Sequence, residues 1–299
     1  MYRRLCTLLY MYMYPITLRH RLSVHFTVMA KQAVTSAFLV LAPLLIAALL
    51  NVFSSWSHVG LDEPQRLDLT GEHKYFRPSG SDVSGFKGSM AKNHRSPCPA
   101  LNALANHGYI PRDGKSVTPL VLQEALVNVY NLDKSLAEFL VSTLAAKFSL
   151  ADLGEHNVVE HDASLVHDDS CKGADPSTVN ITLADNLLSR TNDDRHITRM
   201  ALAVYRRERE GDSATNTPDF EDTFTAQRAL TSYSESAIFL LVMGDDATTS
   251  VSVDHARSFL AKERIPNEYE KPRVPVTLVR SLWITLQLKM LAQLSYMLF

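Results

Sequence analysis

Cysteine is scarce in this chain. The only three are Cys6, Cys98 and Cys171, and none stands in a CxxC pair or at a spacing suited to a zinc cage. That argues against a disulfide framework, so the fold has to rest on packing and on any bound cofactor. A charge excess of either sign is also missing: 30 Lys and Arg face 32 Asp and Glu, for a formal net charge of -2 and a pI near 6.6. Such a balance gives no general attraction for nucleic acid, and no nucleic-acid partner is expected. Alternating strand patterns and internal repeats are absent. No HExxH pair accompanies Glu160 and His161, which leaves a zinc-hydrolase reading without its second histidine. What remains, 46% hydrophobic and 21% charged over 299 residues, is the make-up of an ordinary globular protein with enough chain for a large core.

Five stretches are distinguishable. Residues 1–33 mix aromatic, apolar and basic side chains without a period, and Met29 is a second candidate start. Residues 34–53, VTSAFLVLAPLLIAALLNVF, carry no charge and reach the ~20 apolar residues that a spanning helix needs. They read as a transmembrane anchor, with a cleaved secretory signal as the alternative. Arg19, Arg21 and Lys31 precede the run while Asp62 and Glu63 follow it, so an anchor would leave the rest of the chain in the lumen. Asn180-Ile181-Thr182 would then be a glycosylation acceptor. Residues 54–96 are rich in Gly, Pro, Ser and charge and read as a linker or arm. Residues 97–273 form the expected main folded domain, and 274–299 an apolar tail.

Within the domain the pattern is helical. Thr118-Pro119 is a cap followed by proline at the first helical position. Leu136, Phe139, Leu140 and Leu144 mark a second helix ending near Gly154, and further helices are expected at about 195–210, 221–243 and 253–264. The fold class is therefore mainly α. The run Arg206-Arg207-Glu208-Arg209-Glu210 mixes signs on consecutive positions and reads as a solvated face.

Cys98 sits between Pro97 and Pro99 at the start of the helix-forming string ALNALANH. There the helix dipole and the free amides of Ala100 and Leu101 favour a thiolate of lowered pKa. A buried structural cysteine is the alternative. The wider string, PCPALNALANHGYIPRDGK, resembles the signature of the chloroperoxidase and unspecific peroxygenase family. That resemblance implies a helical haem-binding domain, haem b as cofactor, and Cys98 as the proximal ligand to its iron.

Two more motifs follow in the family's order. Glu160-His161-Asp162-Ala163-Ser164 resembles the family's Glu-His-Asp motif followed by serine. The resemblance implies that Glu160, the Ser164 hydroxyl and the His161 main-chain carbonyl bind a divalent cation, magnesium or manganese, beside a haem propionate; these are the hard oxygen ligands such ions prefer. Without it the triplet is a solvated acidic loop, as His156, His167, Asp168 and Asp169 are expected to be. Glu235, in Ser234-Glu235-Ser236-Ala237, shares its helical face with Ile238, Phe239 and Val242, so burial is expected to raise its pKa. The context is similar to that of the family's acid-base glutamate, with Ser234 where glycine is common, and His161 would hydrogen-bond Glu235.

Together the motifs imply a peroxidase or peroxygenase that uses hydrogen peroxide to oxidise, and in some members halogenate, a small organic substrate. The alternative is a membrane-tethered haem-binding protein without turnover.

Overall fold

In the computed structural model, which describes residues 63, 65–191, 195–246 and 248–298, helices begin where polar side chains satisfy their first amides. Cys98 precedes α1 (Pro99–Asn106), whose first turn takes a proline because an amide there has no helical partner to lose. Thr118 accepts from the Val121 amide to open α2 (Pro119–Tyr130), and Asn131, left-handed at φ 51°, closes it. Asp133 caps α3 (Lys134–Val141), and Asn180, Thr198 and Thr225 cap α4 (Ile181–Leu188), α5 (Arg199–Asn216) and α6 (Ala226–Met243). The last helix is α7 (Leu278–Leu298). Strands are two residues long: β1 (Val83–Ser84) runs parallel to β2 (Asn93–His94), and β3 (His196–Ile197) antiparallel to β4 (Val251–Ser252). The chain is mainly α.

Some expected helices are cut differently. The one expected to reach Gly154 ends at Val141, and Phe139, assigned to its apolar face, is 62% exposed. A capping box restarts the chain there: Ser149 and Asp152 bond each other's backbone and open the 3-10 turn Leu150–Gly154. The segment expected at 253–264 is a short helix, Val253–Ala256, followed by a π-helical turn, Arg257–Ala261.

The apolar segment after Val274 folds back as α7 against α6 and α5. Ile284, Leu288 and Ala292, spaced by four, are buried in that contact. Full burial of a side chain such as Leu288 contributes about 1.5–3 kcal/mol. Among the described residues no helix is long and apolar enough to cross a membrane. The expected anchor or signal at 34–53, with the extension 1–33, lies outside the described residues.

The described part of the arm wraps the start of the domain. His73 and His107 each place Nδ1 on the other's carbonyl oxygen, at 3.0 and 2.7 Å, and the Phe76 amide donates to the Asn106 carbonyl at 2.9 Å. His107 Nε2 accepts from the Ile265 amide, so the imidazole is neutral with its proton on Nδ1, and it serves as a clip. Gly114, at φ +67°, lies where a Cβ would collide with the His94 carbonyl; its lack of a side chain lets β2 run close by into the Cys98 loop.

Candidate active site

Three elements meet at one apolar cavity of about 290 Å³: the start of α1, the loop 160–167, and the middle of α6. Leu122, Leu126, Phe239 and Phe259 supply much of its wall, and Cys98, Glu160, His161, Ser164, His167, Arg206 and Glu235 supply its polar groups. A wider hollow of about 930 Å³, beside Arg199, Asp245 and Trp283, holds no comparable set of reactive groups.

Cys98 is fixed from both sides. Its amide donates to Ser96 Oγ at 3.2 Å, and the Tyr130 hydroxyl donates to the Ala100 carbonyl at 2.9 Å. The expected lowering of its pKa is not found. Burial pushes the thiol up to about 11, against the amide of Leu101, while the charge of Glu235 raises it further and the Ala100 amide opposes. The amides act as foreseen, but desolvation by the cavity walls outweighs them. A thiol in this position becomes a thiolate when a metal ion compensates its charge, which fits an iron-centred group between apolar walls.

Glu235 and His161 are brought together by α6 and the loop. His161 Nε2 lies 3.2 Å from Glu235 Oε2, and His161 Nδ1 lies 2.7 Å from the Asp162 carbonyl oxygen. A carbonyl only accepts, so Nδ1 carries a proton, and Nε2 and the carboxylate share one more. Burial alone would raise Glu235, but the His161 charge, the hydrogen bond and Arg206 outweigh it and hold the carboxyl below its ordinary value. This corrects the expectation of a raised pKa. Burial likewise works to lower His161, and Glu235 more than offsets it, so His161 is raised. The Glu235 side chain is 53% exposed because it opens onto the cavity; on a larger scale it is enclosed by protein. Ser234 bonds the Leu230 carbonyl one turn back and accepts from Thr285 of α7 at 3.3 Å.

The loop itself is held by side chains that the sequence reading assigned to solvent. Arg206 and Arg209 are 1% and 4% exposed. Arg206 Nη1 donates to the Ala163 carbonyl, and Arg209 Nε to that of Ser164, both at 2.9 Å. Asp169, buried as well, accepts from the Ala163 amide at 2.9 Å and pairs with Arg209 Nη2 at 3.2 Å. These contacts hold Ala163 at φ +60°, a conformation rare for a residue with a side chain. The signal was present in the sequence: counting forward from Leu202 at helical spacing gives 206, 209 and 213, all on the buried face of α5.

His167 is also buried rather than solvated, and burial lowers it to about 4, so it is neutral. Glu160 turns its carboxylate to His156 Nδ1 at 2.7 Å, while Ser164 Oγ lies 3.3 Å from His167 Nδ1. His156, Glu160 and Asp162 form a cluster of ligand atoms within 4.8 Å of one another. Glu160, His161 and Ser164 all line the cavity, with the two side chains engaged by neighbouring histidines.

A helical domain that gathers a partly buried cysteine and a hydrogen-bonded His–Glu pair around one apolar cavity has the parts of a haem-thiolate peroxide enzyme. The chain belongs to peroxidase family 2, whose model matches residues 73–274. It is similar to an aromatic peroxygenase of Coprinellus radians, 29% identical over 206 residues, 58% of this chain and 77% of that one. A chloroperoxidase of Leptoxyphium fumago is 28% identical over 204 residues, 58% of this chain and 52% of that one. A dothistromin biosynthesis peroxidase of Dothistroma septosporum is 27% identical over 150 residues, 42% of this chain and 33% of that one. The matched region thus spans about half of the chloroperoxidase and a third of the dothistromin peroxidase. Membership makes the chain an oxidoreductase acting on peroxide, and the family implies haem.

Proposed function

We propose that this protein is a haem-thiolate peroxidase or peroxygenase that uses hydrogen peroxide to oxidise a small organic substrate, with Cys98 as the iron ligand and Glu235 and His161 as its proton-transfer pair. The observation that carries this reading is the His161–Glu235 contact on the wall of the cavity that Cys98 also lines. A thiolate-bound haem supplies electron density for O–O cleavage. The Glu235 carboxylate would accept the proton of one peroxide oxygen and deliver it to the other as the O–O bond breaks, the bound haem supplying the two electrons that let that oxygen leave as water. His161 orients the carboxylate and, through its Nδ1 bond to Asp162, keeps its own tautomer fixed. The apolar walls exclude bulk water and suit an organic substrate. The dothistromin relative's name favours a substrate from secondary metabolism.

Glu160, the Ser164 hydroxyl and the His161 carbonyl would hold one magnesium or manganese ion, a hard cation suited to oxygen donors. Residues 34–53 would either tether the chain to a membrane or direct its secretion. Alkaline carbonate washing separates these: an anchored chain stays in the membrane, and a secreted one is recovered in the medium.

The test is optical and catalytic together. The reduced carbon-monoxide complex of the purified protein should show the red-shifted Soret band of a thiolate ligand, and peroxide should drive oxidation of an aromatic probe. An unshifted band removes Cys98 from its role. A shifted band without turnover leaves a haem-binding protein that is not an enzyme.

A further inference from the structure

A second buried polar network lies behind Cys98, away from the His161–Glu235 pair. Asn102, one turn into α1, accepts from the Ser96 amide at 2.8 Å and donates to the Ser96 carbonyl at 2.7 Å, which pins the residue two before the cysteine. Ser96 Oγ in turn accepts from the Cys98 amide. The same Asn102 amide group donates to Glu263 Oε1 at 2.6 Å. The other carboxylate oxygen, Glu263 Oε2, meets Arg77 Nε of the arm at 2.8 Å. Glu263 is buried and held at φ +50°, with its carbonyl accepting from Asn106 Nδ2 at 3.0 Å. Arg77 Nη1 donates to the Ala261 carbonyl beside it.

A hydrogen bond to Asn102 could be supplied by a neutral glutamine. A carboxylate in that place adds a charge, and in a low-dielectric interior a charge acts on its surroundings far more strongly than in water. The Glu263 charge works against negative charge on Cys98, and burial raises Glu263 itself while Arg77 and Asn102 act to lower it. The buried Arg95 gives its guanidinium to Asn106 and to backbone carbonyls, and it adds positive charge to the same region without bonding Glu263.

We propose that Glu263 and Arg77 are positioning residues for the proximal ligand: through Asn102 they fix the loop that carries Cys98, and their opposed charges set the reduction potential of the iron it holds. This rests on the haem-thiolate reading above. Adding an electron to the iron is opposed by the carboxylate and favoured by the guanidinium. Removing each charge alone therefore moves the potential in opposite directions, which a purely structural role for the pair does not predict.

The experiment measures the ferric–ferrous midpoint potential and the reduced carbon-monoxide band in the haem-loaded full chain. Glu263→Gln should raise the potential and Arg77→Gln should lower it. Each shift should be on the order of tenfold in the reduction equilibrium, ~59 mV for one electron. The double variant should return close to the unaltered protein, and all three should keep the red-shifted band. Shifts of the same sign, or none, overturn the inference. Should Glu263→Gln fail to take up haem, Arg77→Gln decides alone, since the arm side chain is partly exposed; a potential that rises or stays put overturns the proposal. Absence of the red-shifted band in the unaltered protein overturns the haem-thiolate reading itself, and this inference with it.

Discussion

His161 Nε2 and Glu235 Oε2 lie 3.2 Å apart although 74 positions separate them in the chain. The contact exists because α6 carries Glu235 inward at mid-helix while Arg206, Arg209 and Asp169 hold the loop that bears His161. Since the Asp162 carbonyl occupies Nδ1, the pair has one proton between its facing atoms, and that shared proton orients the carboxylate that the proposed reaction uses.

Glu235→Gln keeps the shape of the side chain and removes its basicity. Haem uptake should be unchanged, and the rate of peroxide consumption should fall by about 100- to 10,000-fold. Stopped-flow mixing of the haem-loaded variant with peroxide measures this; a rate within a few-fold of the unaltered protein takes Glu235 out of the mechanism.

The same pair gives a pH window for stability. Glu235 is held below its ordinary value, so its contribution is present above the unfolded value, roughly pH 4.3, and is lost as pH falls through the lower folded value. His161 is raised, so its contribution is complete below roughly pH 6.5 and is lost as pH rises through the higher folded value. The difference in urea stability between the unaltered protein and Glu235→Gln should therefore be largest between these limits. A difference that stays flat from acid to alkali would show that the two groups do not share a proton.

Asp169→Asn tests the loop clamp. Asp169 takes hydrogen bonds from the Ala163 amide, Ser213 and Thr217 as well as its pairing with Arg209. Neutralising it leaves the buried Arg209 with only the largely exposed Asp212, at 3.5 Å, as counter-charge, a loss that costs up to about 3–5 kcal/mol. Denaturant unfolding reads the loss directly. A cost below 1 kcal/mol would mean that Arg209 reaches solvent when its partner is removed.

Chelation tests the cation. Stripping divalent ions from the haem-loaded protein should lower its thermal midpoint, and added magnesium or manganese should restore it. Glu160→Ala should behave like the stripped protein and gain nothing from added metal. If chelator and variant both leave the midpoint and haem occupancy unchanged, the Glu160 and Ser164 assignment is wrong.

The sequence by itself determined the helix starts and the reactive groups. Thr118 before Pro119, and Pro99 after Cys98, act within one turn, and local signals of that kind are complete in the primary structure. The Glu160–Ser164 loop and Glu235 were likewise legible as motifs. Which side chains leave water was decided by tertiary packing. Arg206 and Arg209 carry the composition of a solvated face, yet α5 buries them because the backbone carbonyls of a loop some 40 residues earlier need donors. The direction of the Cys98 and Glu235 shifts was decided the same way. A helix N-terminus and an apolar helical face each predict one sign, but the cavity walls turn it for Cys98, and the His161 imidazole and the Arg206 guanidinium turn it for Glu235, groups brought within range only when the protein folds.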